Sequence, residues 1–217
     1  MIYLLRYYNI KGELIEISIN KIEDWISHQK NKNELADFIY NRFYYRYIKP
    51  FEYVSDKKIK IKNTNKLINE YSLLYKNGFS IMANCCLLIE AIETFQRGWK
   101  NSNFKSEIAF LKFFSRDKNF TDFSTNDMST LFYKKIRCGI LHQGEITDGW
   151  KITRSEDKPI LNIKKKELNA TKFLETLKKS IEDYKTELKK AEWEDEIWRN
   201  AKIKIKSLIK QSKRNEN

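Results

Sequence analysis

Proline occurs twice in these 217 residues, glycine six times and cysteine three times. So little proline and glycine excludes a collagen-like or low-complexity flexible chain and favours helices with short connections. Two of the cysteines, Cys85 and Cys86, sit side by side in an apolar run, which excludes a disulfide framework. Histidine is as scarce, with only His28 and His142, and no second Cys or His cluster completes a zinc site. No metal and no other cofactor is expected. A glycine-rich phosphate loop is missing as well, so nucleotide hydrolysis of the P-loop kind is excluded. The first residues, Met1-Ile-Tyr-Leu-Leu-Arg6, are too short and too soon interrupted by charge for a secretion signal or a membrane span. A cytoplasmic protein without a membrane partner is expected.

Positive charge is abundant. Forty-two Lys and Arg against 29 Asp and Glu give a net +13 at pH 7. This excess favours polyanionic partners: RNA, DNA or an acidic protein. A generally lysine-rich composition would contribute too, since 33 of the 42 are lysines. Hydrophobic residues make up 41% of the chain and aromatic residues 14%, enough for one substantial core in a single domain.

Residues 2–8 and 13–19 are rich in β-branched and aromatic side chains and flank Lys11-Gly12, which predicts a hairpin. Asn20 is placed to cap a short helix carrying Ile22, Trp25 and Ile26, and His28 follows in a polar, surface-like stretch. Residues 33–48 predict an amphipathic helix on the stripe Leu35, Phe38, Ile39, Phe43 and Tyr47, ended by Pro50. Arg42 and Arg46 lie among Tyr40, Tyr44 and Tyr45, a mixture that suits either RNA contact or half-buried packing. Residues 57–62 alternate lysine and isoleucine, as an edge strand or a solvated linker does. Residues 64–99 read as helix with a break near Asn77-Gly78. Its stripe of Ile81, Met82, Cys85, Leu88, Ile89, Ile92 and Phe95 makes Cys85 a core residue. Glu93 and Arg97 read as a surface pair one turn apart.

Residues 104–114 predict a further short helix, and residues 117–124 a loop with embedded phenylalanines. Beyond Gly149, residues 150–154 and 160–163 predict a second hairpin that would offer Trp150, Lys151 and Arg154 to a substrate. Asn169 caps a helix whose seam is Leu174, Leu177, Ile181, Tyr184 and Leu188. The last segment, 191–217, turns basic: from residue 199 on, Arg199, Lys202, Lys204, Lys206, Lys210, Lys213 and Arg214 stand against the single acid Glu216. An apolar stripe of Ile197, Ala201, Ile205 and Leu208 persists there, so this segment either grips a polyanion or docks on a partner. The expected fold is mainly α, a helical bundle decorated by two β-hairpins. Within it residues 1–60 form an N-terminal part, 62–190 the core and 191–217 the basic helix or tail.

One stretch gathers groups with chemistry: Phe132-Tyr-Lys-Lys-Ile-Arg-Cys-Gly-Ile-Leu-His-Gln-Gly-Glu145. Met128, Leu131, Phe132, Ile136 and Ile140 give it a buried helical stripe, residues 124–127 offer caps and Gly144 a terminator. An imidazole can move a proton at a ribose hydroxyl, and a guanidinium can hold phosphate oxygens as negative charge accumulates. A five-residue step on a regular α-helix separates Arg137 and His142 by about 140°. Convergence therefore requires the last turn to unwind, which Gly139 and Gly144 permit, or a second subunit. A histidine that merely caps a helix C-terminus is the alternative.

The run Arg137-Cys-Gly-Ile-Leu-His142 resembles the signature of the HEPN superfamily, an arginine and a histidine separated by four to six residues. Residues 78–95 are similar to the long helix that packs beside the motif helix in that family, and the resemblance covers residues 62–190. It implies an all-α, metal-independent endoribonuclease, a homodimer with two motifs facing across a two-fold axis. It also implies a toxin or effector role in antiviral defence, restrained by an antitoxin or working with a defence-complex partner. In the reaction so implied, His142 is the general acid or base and Arg137 stabilises the phosphate. Cys138 takes a place after the arginine that is often polar in the family. Glu90 is expected to orient the pair from the neighbouring helix, and Gln143 and Glu145 to orient the imidazole. Lys134 and Lys135 are expected to hold the RNA backbone. Phe132, Ile136, Ile140 and Leu141 are the expected dimer contacts. A non-catalytic helical module that binds nucleic acid or protein is the rival reading.

Overall fold

The computed structural model describes residues 2–52, 58–60, 62, 63, 65, 67–69, 77–155 and 157–214. Among the described residues it is mainly helical, with seven α-helices and a few short strands. Strands β1 (Tyr3–Tyr8) and β2 (Leu14–Ser18) pair antiparallel as expected, with Arg6 opposite Glu16. Gly12 turns the chain between them at φ 77°, while the Asn9 side chain accepts from the backbone of Lys11 and Glu13. Ser18, not Asn20, caps α1 (Ile19–Ser27) by accepting from the Lys21 N–H. The next helix, α2 (Lys32–Phe43), widens into a π-helical turn over Tyr44–Ile48 and a 3₁₀ turn over Lys49–Phe51.

Of the helix expected over 64–99, residues 67–69 form a strand instead, and the part after the expected break at Asn77-Gly78 is helical from Gly78. The short strands β3 (Lys58–Lys60) and β4 (Leu67–Asn69) pair antiparallel ahead of it, so the edge-strand reading holds for 58–60. Residues 57, 61, 64, 66 and 70–76 lie outside the described residues. Helix α3 (Gly78–Gln96) buries its entire expected stripe. Length and composition alone would let α3 cross a membrane, but 67% of its apolar window is buried inside the fold, as befits a core helix. Burial pushes the Cys85 thiol well above the usual range, in keeping with a packing residue rather than a reactive one.

Helix α4 (Ser106–Arg116) begins two residues later than the spacing suggested, and Phe104 stands outside it, exposed at φ 59°. Glu93 is not a surface acid. It is fully buried between Arg97 of its own turn and Arg116, and so locks α3 to α4 with charge on both sides.

Helix α5 (Asn126–Leu131) is the start of the motif helix. Thr125 caps it, its hydroxyl accepting from the Met128 N–H, and two π-helical turns continue it over Phe132–Arg137 and Gly139–Gln143. A cluster of seven buried phenylalanines anchors this helix: Phe110, Phe113, Phe114, Phe120, Phe123, Phe132 and Phe173. Phe132 stacks at 5.2 Å on Phe173 and meets Phe114 edge-on at 5.1 Å, so loop, motif helix and α4 share one aromatic knot.

The second hairpin is not formed. Strands β5 (Lys151–Thr153) and β6 (Leu161–Asn162) do not pair with each other; both pair with β7 (Glu167–Asn169), β5 parallel and β6 antiparallel. Asn169 then caps α6 (Ala170–Lys190), its side chain accepting from the Lys172 N–H. The α6 seam is buried against α2 and α3. The basic segment is one helix, α7 (Glu196–Arg214), and it docks on the same core rather than standing free. Trp198 donates its indole N–H to the Leu188 carbonyl at 2.8 Å, and Asn200 donates to that of Gln96 at 2.8 Å. Glu216 lies outside the described residues.

Replacing Phe114, whose ring meets all six others in the knot, should destabilise the fold heavily. Phe114→Ala is expected to cost about 3–5 kcal/mol in urea unfolding, whereas exposed Phe104→Ala should stay within about 0.5 kcal/mol of the parent.

Candidate active site

The motif helix reaches its geometry by widening, not by unwinding. In a π-helical turn the backbone bonds run from residue i to i+5, so residues five apart come round to nearly the same face. The Cys138 N–H accordingly bonds the Tyr133 carbonyl, and the expected 140° splay disappears. Arg137 Nη1 and His142 Nε2 lie 2.9 Å apart within a single chain. Gly144 closes the helix in the left-handed region at φ 70°, with the Glu145 N–H bonding back to the Gly139 carbonyl at 3.3 Å. This return strand lies so close that a Cβ on Gly139 would collide with the Glu145 carbonyl oxygen. Glycine at 139 thus allows the chain to fold back against the second π turn.

Glu90 projects from α3 into this helix and is only 8% exposed. Its Oε1 accepts from Arg137 Nε at 3.1 Å and from Nη2 at 2.8 Å. Its Oε2 accepts from the hydroxyls of Ser102 at 2.9 Å and Ser106 at 3.1 Å. Both oxygens therefore carry two bonds, the condition under which a buried carboxylate is tolerated. The guanidinium also lies 5.6 Å from the centre of the Tyr133 ring. Burial works against the Arg137 charge, but the Glu90 carboxylate outweighs it and holds the group above its ordinary value.

Arginine only donates, so His142 Nε2 accepts and the ring proton resides on Nδ1. The imidazole is exposed, and its Nδ1 has no hydrogen-bond partner among the described residues. An anchored cation with one donor edge turned to an exposed imidazole can bind an oxyanion and move a proton beside it.

The other expected site residues are dispersed. Cys138 is half-buried and interacts with Tyr133 and Arg137. Lys134 is exposed and has no carboxylate partner among the described residues, leaving it open to a polyanion. Lys135 is tied at 2.6 Å to Asp148, whose carboxyl it holds below the usual range. Gln143 and Glu145 are exposed, and neither side chain bonds His142, so their expected orienting role is not realised.

Trp150 is buried among Phe123, Ile136, Leu161 and Leu168 and is not offered to a substrate. Lys151 is exposed on β5. Arg154 donates to Thr171 Oγ1 and Asn77 Oδ1 at the start of α3, where it packs on Gly78. That is twelve residues from Glu90, about 18 Å along the helix, so Arg154 belongs to the scaffold. Sequence reasoning missed Ser102 and Ser106. Their spacing of four residues, on either side of the start of the helix expected over 104–114, was the one available hint.

Two substitutions test this geometry. Glu90→Leu leaves the Arg137 cation buried without its counter-charge and should cost about 3–5 kcal/mol in denaturant unfolding. Gly139→Ala should cost about 1–3 kcal/mol and shift the His142 ring resonances in NMR spectra, because the return strand must move. Compared with family models, with curated proteins and with solved structures, the chain matches none.

Proposed function

We propose that this chain is a metal-independent endoribonuclease of HEPN type. The observation that carries the reading is the 2.9 Å approach of Arg137 to His142 on a guanidinium that Glu90 holds in place. The chemistry is transfer within RNA. The scissile phosphate takes the Nη1 donor edge of Arg137, which frees His142 Nε2 for the ribose 2′-hydroxyl. As the 2′-oxygen attacks phosphorus its proton passes to the imidazole, the bond from phosphorus to O5′ breaks, and O5′ leaves with a proton given by a second imidazole in its protonated form. The products are a 2′,3′-cyclic phosphate and a 5′-hydroxyl. Arg137 offsets the charge on the non-bridging oxygens in a partly dry site. Exposed Lys134, in the same π-helical turn as Arg137, is suited to the flanking backbone.

Two proton transfers are needed, and each chain brings one imidazole to this site. A homodimer, as the resemblance implies, would supply the second. Of the contacts expected for it, Phe132, Ile136 and Ile140 are spent in the core and Leu141 is half-buried. Phe104 and Ile108 on either side of Ser106 are exposed instead, and they are the better candidates. A toxin or effector role in antiviral defence, with an antitoxin or defence-complex partner, belongs to the same reading and rests on the resemblance. A cytoplasmic location goes with it.

The purified chain should cut a mixed RNA pool in the presence of EDTA and leave cyclic phosphate ends, detected by their resistance to ligation until opened. Arg137→Ala and His142→Ala should each slow cleavage by about a hundredfold or more; His142→Ala should melt as the parent does, whereas Arg137→Ala should melt lower because it strips Glu90 of its counter-charge. Binding without cleavage by the wild type would instead establish a non-catalytic RNA-binding module. Ile108→Glu should give folded monomers with diminished cleavage by light scattering and assay; a chain that cuts RNA equally well as a monomer would remove the dimer from the mechanism.

A further inference from the structure

Behind Glu90 lies a cavity of about 330 Å³ that the proposed chemistry leaves unused. Four cations from four segments line it: Arg42 from α2, Arg46 from the following π turn, Lys100 from the loop after α3 and Lys204 from α7. None pairs with a carboxylate among the described residues. Arg42 Nη1 donates to the Leu4 carbonyl at 2.6 Å, Arg46 Nη2 to the same oxygen at 3.4 Å, and Lys204 Nζ to the Lys100 carbonyl at 2.8 Å. The one carboxylate in the wall among the described residues, Glu90, is already neutralised by Arg137.

Like charges so arranged repel, and the less water between them the more they do so. Lys204 is 9% exposed. Burial, and then the charge of Arg46, push the Arg42 guanidinium down to about 10. Burial and the charge of Arg42 lower Lys204 likewise. A folded protein seldom gathers uncompensated cations round one cavity without an anion to answer them. The rest of the lining includes apolar side chains, among them Leu87, 48% exposed, Tyr47 and Leu208.

We propose that this cavity is a binding site for a small phosphate-bearing molecule, its phosphate among the four cations and its apolar or aromatic body on Leu87 and Tyr47. The volume falls at the small end of ligand pockets, which suits a mononucleotide better than a larger cofactor. The inference does not depend on the ribonuclease reading. It bears on that reading in one place, because Ser102 both lines the cavity and donates to Glu90. An occupant that draws the Ser102 hydroxyl to itself would loosen one of the four bonds on the carboxylate that holds Arg137.

The test is calorimetric titration of the full chain with AMP and with inorganic phosphate, at constant ionic strength. AMP is expected to bind saturably and more tightly than phosphate. Arg46→Gln and Lys100→Gln, both at exposed positions and checked for unchanged melting, should each weaken AMP by about tenfold, the effect of one charge-assisted hydrogen bond. Lys11→Gln, which removes a charge on the distant hairpin turn, should leave the affinity unchanged. Phosphate binding as tightly as AMP would overturn the role of the apolar lining. No saturable heat with either ligand would overturn the site, as would affinities that Arg46→Gln and Lys100→Gln leave intact. Binding of RNA through this cavity, blocked by neither AMP nor phosphate, would overturn the small-molecule assignment. None of these outcomes depends on RNA being cut.

Discussion

The Glu90 carboxylate is the constraint around which the interior is arranged. A charge this far from water is tolerable only if every lone pair is answered, and here the answers come from three segments. Arg137 arrives from the motif helix, Ser102 from the loop after α3 and Ser106 from the first turn of α4. Meeting that demand fixes the distance between α3 and the motif helix and sets the rotation of both. The guanidinium is held on one edge, which leaves its remaining donors directed at His142. The same arrangement therefore stabilises the fold and prepares a cation for an anionic ligand.

Around this polar centre the packing is divided by chemistry. The phenylalanine knot holds the beginning of the motif helix, where only apolar contact is required. The π turns govern its end, where side chains must be aimed. Glu93, buried between Arg97 and Arg116, performs on the next turn of α3 a purely structural version of what Glu90 does with Arg137. The contrast lies in access: the Glu93 cluster faces the α4 seam, while the Glu90 cluster ends at an exposed imidazole.

The helices were legible wherever one apolar stripe runs at helical spacing. Residues 78–96 and 170–190 show this, as do the capped start and the Gly144 stop of the motif helix. Glu90 was legible too, as a carboxylate inside an apolar run. Other features leave no such trace. The π turns differ from α-helix only in which carbonyl each N–H selects, and no side-chain pattern encodes that choice. Strand β7 is three residues without alternation, and it pairs parallel with β5 across an intervening chain, so a local reading favoured a hairpin that does not exist. Trp150 and Lys204 looked like surface residues because a tryptophan beside a loop and a lysine in a basic helix usually are. Tertiary packing overrode both, through the motif helix for one and the Lys100 carbonyl for the other.

The widened turn also links the length of the motif to its pitch. In an ordinary α-helix residues four apart share a face, while in this one residues five apart do. Loss of one codon between Arg137 and His142, with relaxation to ordinary pitch, would leave the guanidinium and the imidazole on the same side of the helix. Gain of one codon would set the two residues about 240° apart at ordinary pitch, so convergence would then need a bend or break in the helix rather than a change of pitch. Insertions and deletions in this short interval are therefore not equivalent, and the direction of the asymmetry follows from the backbone alone.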